Sequence, residues 1–174
     1  SGINGEIRPG IVHRIDMDTT GSLIICKNDD SHVKIAEQIK LHSVNRIYEG
    51  IVYGNIKEDE GTIDAPIGRN PNDRKKMAIN EKNGKNAITH YKVLKQNDTH
   101  TLLDVNIDSG RKNQIRVQLG SIGHNVIGDD KYQSTKNPLK RLGLHAYKLE
   151  FIDPITKELR SFKANIPGDF SRFF

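Results

Sequence analysis

Two carboxylates, a histidine and an arginine lie close together near the start of the chain, in the run His13-Arg14-Ile15-Asp16-Met17-Asp18. The apolar residues on either side predict short strands at 11–15 and 23–27. The loop between them ends at Gly21, which is free to adopt positive φ. A tight connection between strands is a rigid place for a reactive carboxylate. Asp and Thr are also common turn formers, so residue types alone leave a structural role for this loop open.

Three cations, Arg111, Lys112 and Arg116, lie in a stretch whose apolar residues predict an amphipathic helix at about 113–122. Arg111 and Lys112 at the helix N-terminus oppose the helix dipole, an arrangement better suited to contacting an anion than to stabilising the helix. Arg116 flanks the apolar stripe, where it could turn inward towards a carboxylate or lie exposed along the helix. The segment is therefore a candidate anion-binding element.

A second basic cluster occupies a loop rich in turn residues and consists of Arg69, Arg74, Lys75 and Lys76. These side chains could reach the phosphates of a nucleic acid, and a solvated hairpin tip is the alternative. The formal net charge of +5 also favours a polyanionic partner.

The elements that must position these residues suggest one strand-rich domain spanning residues 1–174, without repeats or low-complexity linkers. Helical spacing predicts two main helices, at about 29–41, with Val33, Ala36 and Ile39 on its apolar face, and at 113–122. Alternation and turn signals predict the remaining strands at 46–53, 61–67, 77–79, 87–94, 101–107, 144–152 and 159–164. The expected fold class is α+β, with a mixed, mainly antiparallel sheet.

Several classes of protein are excluded by what the sequence lacks. No apolar run approaches the ~20 residues of a membrane-spanning helix, and no signal peptide is visible, so we expect a cytoplasmic location. Cys26 is the only cysteine, which rules out a disulfide framework. No His, Cys and Asp cluster has the spacing of a metal site, and neither a P-loop nor a dinucleotide-binding fingerprint is present. We therefore expect no metal and no cofactor.

The run from Pro9 to Gly21 resembles the signature of the RluA/RluD family of pseudouridine synthases, which is His-Arg-Leu-Asp followed by two variable positions, Thr or Ser, and Gly. The match places the family's catalytic aspartate at Asp16 and not at Asp18. Ile15 stands where the family usually has Leu.

The predicted helix is also similar to a family motif, Gly-Arg-Thr-His-Gln-Ile-Arg-Val-His, over residues 110–118. The second arginine of that motif pairs with the catalytic aspartate and maps onto Arg116. We therefore expect Arg116 to approach Asp16 within salt-bridge distance. Three positions depart from the motif: Lys112, Asn113 and Gln118.

The strand at 45–54 resembles the family's basic-x-Tyr strand, whose tyrosine maps onto Tyr48. The resemblance implies that Tyr48 stacks on the target base and takes part in removing its C5 proton, whereas residue type alone would make it a core side chain. Further matches follow in family order at 84–89, 123–129 and 144–146. The resemblance thus runs from about Arg8 to Pro167.

The resemblance implies isomerisation of uridine to pseudouridine in RNA, with large-subunit ribosomal RNA favoured over transfer RNA. Asp16 would either add to the ribose C1′ or remove a ribose proton, and Arg116 would keep it ionised and oriented. His13 and Arg14 would contact the RNA together with the two basic clusters. The alternatives from other classes are a non-catalytic RNA-binding module of the same fold and an aspartate-dependent hydrolase acting on a nucleotide.

Catalytic domains of this family ordinarily carry strands and a Lys-Pro-containing loop before the segment that begins here at Arg8. We therefore expect a catalytic domain that is incomplete at its N-terminal side, which leaves the activity of this chain open. An uncovered sheet edge would then favour self-association.

Overall fold

A computed structural model describes residues 10–132 and 137–174 of the chain. Seven strands form one sheet and two more form a separate hairpin. Two α-helices and a short 3₁₀ helix complete the described elements. The predicted α+β class with a mainly antiparallel sheet and two main helices is therefore confirmed. Arg8 and Pro9, which open the predicted motif and turn, lie outside the described residues.

The strands in chain order are β1 (Thr20–Gly21), β2 (Asn45–Tyr53), β3 (Glu60–Asp64), β4 (Ile67–Arg69), β5 (Met77–Ile79), β6 (Ile88–Gln96), β7 (His100–Ile107), β8 (Leu144–Ile152) and β9 (Leu159–Lys163). The helices are α1 (Asp29–Lys40), α2 (Gln114–Ser121) and the 3₁₀ helix Gly168–Phe173. The strand predicted at 61–67 is divided between β3 and β4, because Pro66 between them has no N–H to continue a ladder.

The large sheet has the order β1-β8-β2-β7-β6-β3, and β9 also pairs with β8. Every pairing in it is antiparallel except that of β1 with β8, which is parallel. Strands β4 and β5 form the separate hairpin, which carries the second basic cluster in its loop. Strand β1, which ends the first motif, therefore lies beside β8, and β8 lies beside β2, the strand that carries Tyr48.

Strand β2 lies between two apolar clusters because its side chains alternate between the faces of the sheet. Tyr48 and Val52 belong to the larger cluster, to which α2 contributes Ile115 and Leu119. Ile51 points to the other face and packs in a second cluster with Phe170 of the 3₁₀ helix. The long β2 thus fixes α2 against the same face that carries Tyr48.

The prediction of strands at 11–15 and 23–27 is wrong. The two segments share only one isolated bridge, between Ile11 and Ile25. The backbone N–H of Ile24 donates instead to Nε2 of His13, at 2.9 Å, so a side chain takes the place of a neighbouring strand. Pairing with the sheet occurs inside the predicted loop, where Gly21 lies opposite Ala146.

Gly21 is required at this point because its φ is +121° and a Cβ would stand 2.2 Å from the carbonyl oxygen of Ala146. The loop that carries Asp16 is consequently anchored directly to β8. This attachment gives the carboxylate a firmer base than the predicted hairpin would have given.

Both predicted helices are confirmed, although their buried surfaces differ from the predicted stripes. In α1, Ile35 is buried and Val33 is 61% exposed, and Asn28 caps the helix by accepting from the N–H of Ser31 at 2.9 Å. In α2, all residues from Gln114 to Leu119 are buried. A helix buried on nearly all sides must pair its polar side chains inside the protein.

Strand β9 lies at one edge of the large sheet, and all five of its residues are exposed. Leu159 and Phe162 are among its exposed apolar side chains. The self-association predicted from the sequence stays a prediction. Within residues 10–132 and 137–174, no helix has the length and apolar character needed to cross a membrane.

Candidate active site

Asp16 lies at the start of a tight turn, in which the backbone N–H of Thr19 donates to the carbonyl oxygen of Asp16 at 3.0 Å. Strand β1 follows at once and pairs with β8, so the turn is held at both ends. The Asp16 side chain is 17% exposed, which leaves the carboxylate accessible from one side.

Arg116 lies between two carboxylates. Its Nε and Nη2 donate to the two oxygens of Asp129 at 2.8 and 2.7 Å, and its Nη1 donates to Oδ2 of Asp16 at 3.1 Å. The bidentate pair fixes the plane of the guanidinium, so the remaining donor is aimed at Asp16. The predicted approach of Arg116 to Asp16 is confirmed.

The electrostatics of this trio favour a permanently charged arginine. Burial alone would lower the pKa of Arg116, but the hydrogen bonds and charges of Asp129 and Asp16 outweigh burial and raise that pKa above its ordinary value. The Asp129 side chain is only 1% exposed, whereas that of Asp16 remains reachable. Asp129 therefore serves as the inner counterion, and Asp16 faces the outside.

The loop after α2 holds this arrangement in place. The phenol of Tyr132 donates to Oδ1 of Asn113 at 2.7 Å, and the guanidinium of Arg116 lies over the Tyr132 ring, 5.2 Å from its centre. Lys131 also donates to Asn113, at 3.1 Å. Asn113, which departs from the family motif, thus links the start of α2 to the segment that carries Asp129.

Gln118, a second departure from the motif, is fully buried. Its amide nitrogen donates to the carbonyl oxygens of Ala65 and Ala87 at 3.0 and 2.9 Å, and its amide oxygen accepts from the hydroxyl of Thr89. Gln118 therefore fastens α2 to the strands beneath it, and its side chain has no donor left for a ligand.

Tyr48 lines the same narrow cavity as Asp16, with a volume of about 30 Å³. Thr19 and the apolar side chains of Ile107 and Leu144 also line it. Burial raises the pKa of Tyr48 to about 12; the charge of Arg46 acts against this rise and that of Asp16 adds to it. The phenol is therefore neutral at pH 7, and it lines a pocket that contains both apolar and charged side chains beside the carboxylate.

A wider cavity of about 510 Å³ opens on the other side of Asp16. Its charged lining consists of the cations Arg14, Lys112, Arg116 and Lys131 and the carboxylates Asp16, Asp18 and Asp130. Asp16 therefore lines both cavities, and Arg14 and Lys112 line both with it. Two cations beside the carboxylate suit an anionic ligand.

Four more of the predicted site residues lie next to the two motifs that contain Asp16 and Arg116: His13, Arg14, Arg111 and Lys112. Arg14 is exposed and lines both cavities that Asp16 lines. Arg111 and Lys112 are exposed just before α2, and Nε of Arg111 donates to the carbonyl oxygen of Asn86 at 3.0 Å. His13 is buried, and burial together with the charge of Arg46 lowers its pKa to about 4. His13 is therefore neutral at pH 7, and its predicted RNA contact stays a prediction.

The second basic cluster forms the tip of the β4–β5 hairpin. Arg69 and Arg74 are joined by a hydrogen bond of 2.8 Å from Nη1 of Arg69 to the carbonyl oxygen of Arg74. Lys75 is exposed and Lys76 half-buried. None of the four side chains lines either cavity beside Asp16. The hairpin is nevertheless tied to the site, because the N–H of Met77 donates to the Tyr132 phenol at 3.1 Å.

Asp129 and Tyr132 were missed as site residues by reasoning from the sequence. The available signal was the match at 123–129, which ends at Asp129. Within the described part of the chain, no group of three or more His, Cys, Asp and Glu side chains could hold a metal ion.

Comparison with known proteins identifies the family to which this geometry belongs. The model of the RNA pseudouridylate synthase family matches residues 2–121. The chain belongs to this family. Over 172 residues, this pseudouridylate synthase domain is 45% identical to the uncharacterized RNA pseudouridine synthase YlyB of Bacillus subtilis, with 98% of the chain and 56% of the relative covered.

Two further relatives agree with this assignment. The synthase domain is 40% identical over 184 residues to the ribosomal large subunit pseudouridine synthase D of Zymomonas mobilis, with 100% of the chain and 58% of the relative covered. The solved structure of human RNA pseudouridylate synthase domain containing 1 superposes with a TM-score of 0.79 at 26% identity, covering 90% of this chain and 69% of that one. The chain spans little more than half the length of the two curated relatives.

Proposed function

We propose that this pseudouridine synthase domain converts uridine to pseudouridine in RNA with Asp16 as the catalytic carboxylate. One observation carries the proposal: Asp16 is paired at 3.1 Å with an arginine that Asp129 holds by two further hydrogen bonds. Tyr48 lines the pocket beside it. A partly exposed anion of fixed orientation beside a pocket that Tyr48 lines is the group that this reaction needs.

The reaction is an isomerisation that balances without any co-reactant. The bond from N1 of uracil to C1′ breaks, a bond from C5 to C1′ forms, and a proton leaves C5 while N1 gains one. Asp16 either adds to C1′ and is later displaced, or removes a ribose proton to give a glycal that is later reprotonated. Arg116 orients the carboxylate in both routes and stays charged throughout.

The narrow pocket beside Asp16 must widen to admit a base, because about 30 Å³ is the volume of a single water molecule in the liquid. Flipping a nucleotide out of its stack costs a few kcal/mol. Stacking on Tyr48 would return roughly 1–3 kcal/mol per base. Contact with Tyr48, Ile107 and Leu144 would keep the detached uracil from escaping before it rejoins the ribose.

Replacing Tyr48 by Phe tests the role of the phenol. The ring that stacks on the base is kept, so we expect RNA affinity to change by less than about twofold. Isomerisation should slow by ~10²-fold, the lower end for the loss of a group that assists proton transfer. Single-turnover tritium release from C5-labelled uridine measures the rate, and an unchanged rate would exclude the hydroxyl from removal of the C5 proton.

The RNA partner is proposed from both charge and relatives. The relative from Zymomonas mobilis is named for the large ribosomal subunit, and we propose large-subunit ribosomal RNA as the substrate, with transfer RNA as the alternative. Mapping pseudouridines in both RNA classes, in cells with and without the gene, decides between them. A position that loses its modification only in transfer RNA would overturn the ribosomal assignment.

Replacing Arg74, Lys75 and Lys76 together by Ala tests the second basic cluster. We expect weaker RNA binding at every sequence tested, and a salt dependence whose slope falls by at most ~0.7 for each lost phosphate contact. A matched control replaces three exposed lysines elsewhere, Lys57, Lys95 and Lys157, and so removes the same charge. Equal slopes for the two triple variants would show that the hairpin tip is exposed to solvent and does not contact RNA phosphates.

A further inference from the structure

A third cavity, of about 430 Å³, shares Arg14 with the wide cavity and has no role in the proposed chemistry. Its walls are the segment 11–14, the end of α1 and the segment 108–111. Three arginines line it: Arg14, Arg46 and Arg111. We name it the Arg46 cleft.

Arg46 is the unusual member of this lining. It is only 5% exposed, and its Nε is buried without a hydrogen-bond partner. Among the described residues, no carboxylate lies within salt-bridge distance of it. A buried cation without a counterion is costly, and burial accordingly lowers the pKa of Arg46. An anion in the cleft would remove that cost.

The other groups in the cleft are suited to an anion as well. Among the described residues of the lining, Asp108 is the one acidic side chain, and it forms a hydrogen bond with His90 at 3.1 Å. Nε2 of His13 accepts from the backbone, which leaves its neutral ring with a proton on Nδ1, and this buried atom also lacks a partner. The cleft thus offers charged and neutral donors, and its described lining has three arginines against one carboxylate.

The Arg46 cleft adjoins the pocket beside Asp16. Arg14, Gly110 and Arg111 line both cavities. Arg46 precedes Tyr48 by two residues in β2, which separates their Cα atoms by about 7 Å. That spacing is comparable to the length of one nucleotide, so a ligand in the cleft and a base on Tyr48 can belong to one strand.

We propose that the Arg46 cleft binds a backbone phosphate of the RNA, directly adjacent to the nucleotide whose base enters the pocket beside Asp16. The phosphate supplies the missing counterion of Arg46, and Arg14 and Arg111 close over it from the exposed side. This inference rests on the proposed function, because it takes the strand at Asp16 to be RNA. It adds a fixed register: the protein holds one phosphate and thereby sets which nucleotide faces Asp16.

Neutralising single phosphates tests this inference. A short RNA is made with a methylphosphonate at one position at a time around the target uridine, and its affinity is measured for the wild-type protein and for Arg46→Gln. We expect one position to cost the wild type about tenfold in affinity, the size of a charge-assisted contact. A methylphosphonate at that position should lower the affinity of Arg46→Gln by less than about twofold, because the arginine that contacts the phosphate is already absent.

Two further variants keep the test decisive. Arg111→Gln removes an exposed cation of the same cleft and should show the same selective coupling even if Arg46→Gln folds poorly. Lys57→Gln removes an exposed cation beyond the far end of β2 and should show none. The inference is overturned if the methylphosphonate lowers RNA affinity by the same factor at every position and in every variant. Binding needs no turnover, so this outcome is distinct from failure of tritium release, which would contradict the proposed function instead.

Discussion

Replacing Asp16 by Asn should abolish isomerisation and leave RNA binding intact. The amide keeps the shape of the side chain but cannot add to C1′ or accept a ribose proton as a carboxylate does. We expect the single-turnover rate to fall by at least about 10³-fold, as for the loss of a principal reacting group. Removing the negative charge of Asp16 should slightly tighten the binding of RNA, because the phosphates of RNA are repelled by that charge. Tritium release and a filter-binding titration measure the two quantities separately.

Asp18 provides the matched control. It lies two residues away in the same loop and is exposed, whereas the carboxylate paired with Arg116 is that of Asp16. Asp18→Asn removes the same charge from nearly the same place, so we expect a rate within about threefold of the wild type. Comparable losses in the two variants would mean that the charge of the loop matters and the position of Asp16 does not. Substantial turnover by Asp16→Asn would end its assignment as the reacting group.

The folding stability of Asp16→Asn should also differ little from that of the wild type. Arg116 keeps its two hydrogen bonds to Asp129, and the lost contact is on the accessible side of the guanidinium. Partly exposed ion pairs contribute up to about 1 kcal/mol. If the rate falls by about three orders of magnitude while the midpoint of unfolding stays the same, the loss of activity comes from the chemistry and not from unfolding.

The parts of the fold that sequence patterns predicted are those whose local signals are long and unambiguous. Strand β7 alternates between half-buried and buried residues over all eight positions, so its sequence pattern assigned each side chain to the correct face of the sheet. The segments at 11–15 and 23–27 are short apolar runs, and such runs are ambiguous on their own. Their backbone donors are satisfied by a histidine ring and by a single bridge, and sequence patterns carry no information about either.

The sequence also predicted only some of the residues of the candidate site. Asp16 and Arg116 were predicted together because two motifs of one family contain them, and their contact at 3.1 Å confirms the geometry. Asp129 was not predicted, because it lies in an irregular segment without periodicity and meets Arg116 only after the chain turns back on itself. A buried counterion is defined by the pairing in three dimensions, and spacing along the chain does not show it.

Arg116→Gln should produce the second large effect, on stability as well as on rate. The change leaves Asp129, whose side chain is 1% exposed, as a buried carboxylate without its cation. Breaking a buried ion pair from one side costs about 3–5 kcal/mol. We therefore expect a clearly lower urea midpoint at pH 7, together with a rate loss of ~10²-fold or more because Asp16 loses its orienting donor. Equilibrium unfolding followed by circular dichroism measures the first effect.

The double variant Arg116→Gln with Asp129→Asn separates the two roles of the arginine. Two neutral amides can share a hydrogen bond in place of the buried ion pair, and replacing both members of such a pair is often close to neutral in stability. We expect the urea midpoint to recover most of the loss, while tritium release stays as low as in Arg116→Gln, because Asp16 lacks its hydrogen-bonded arginine in both proteins. Recovery of the rate together with the midpoint would show that Arg116 acts only through folding, and it would remove the arginine from the catalytic site.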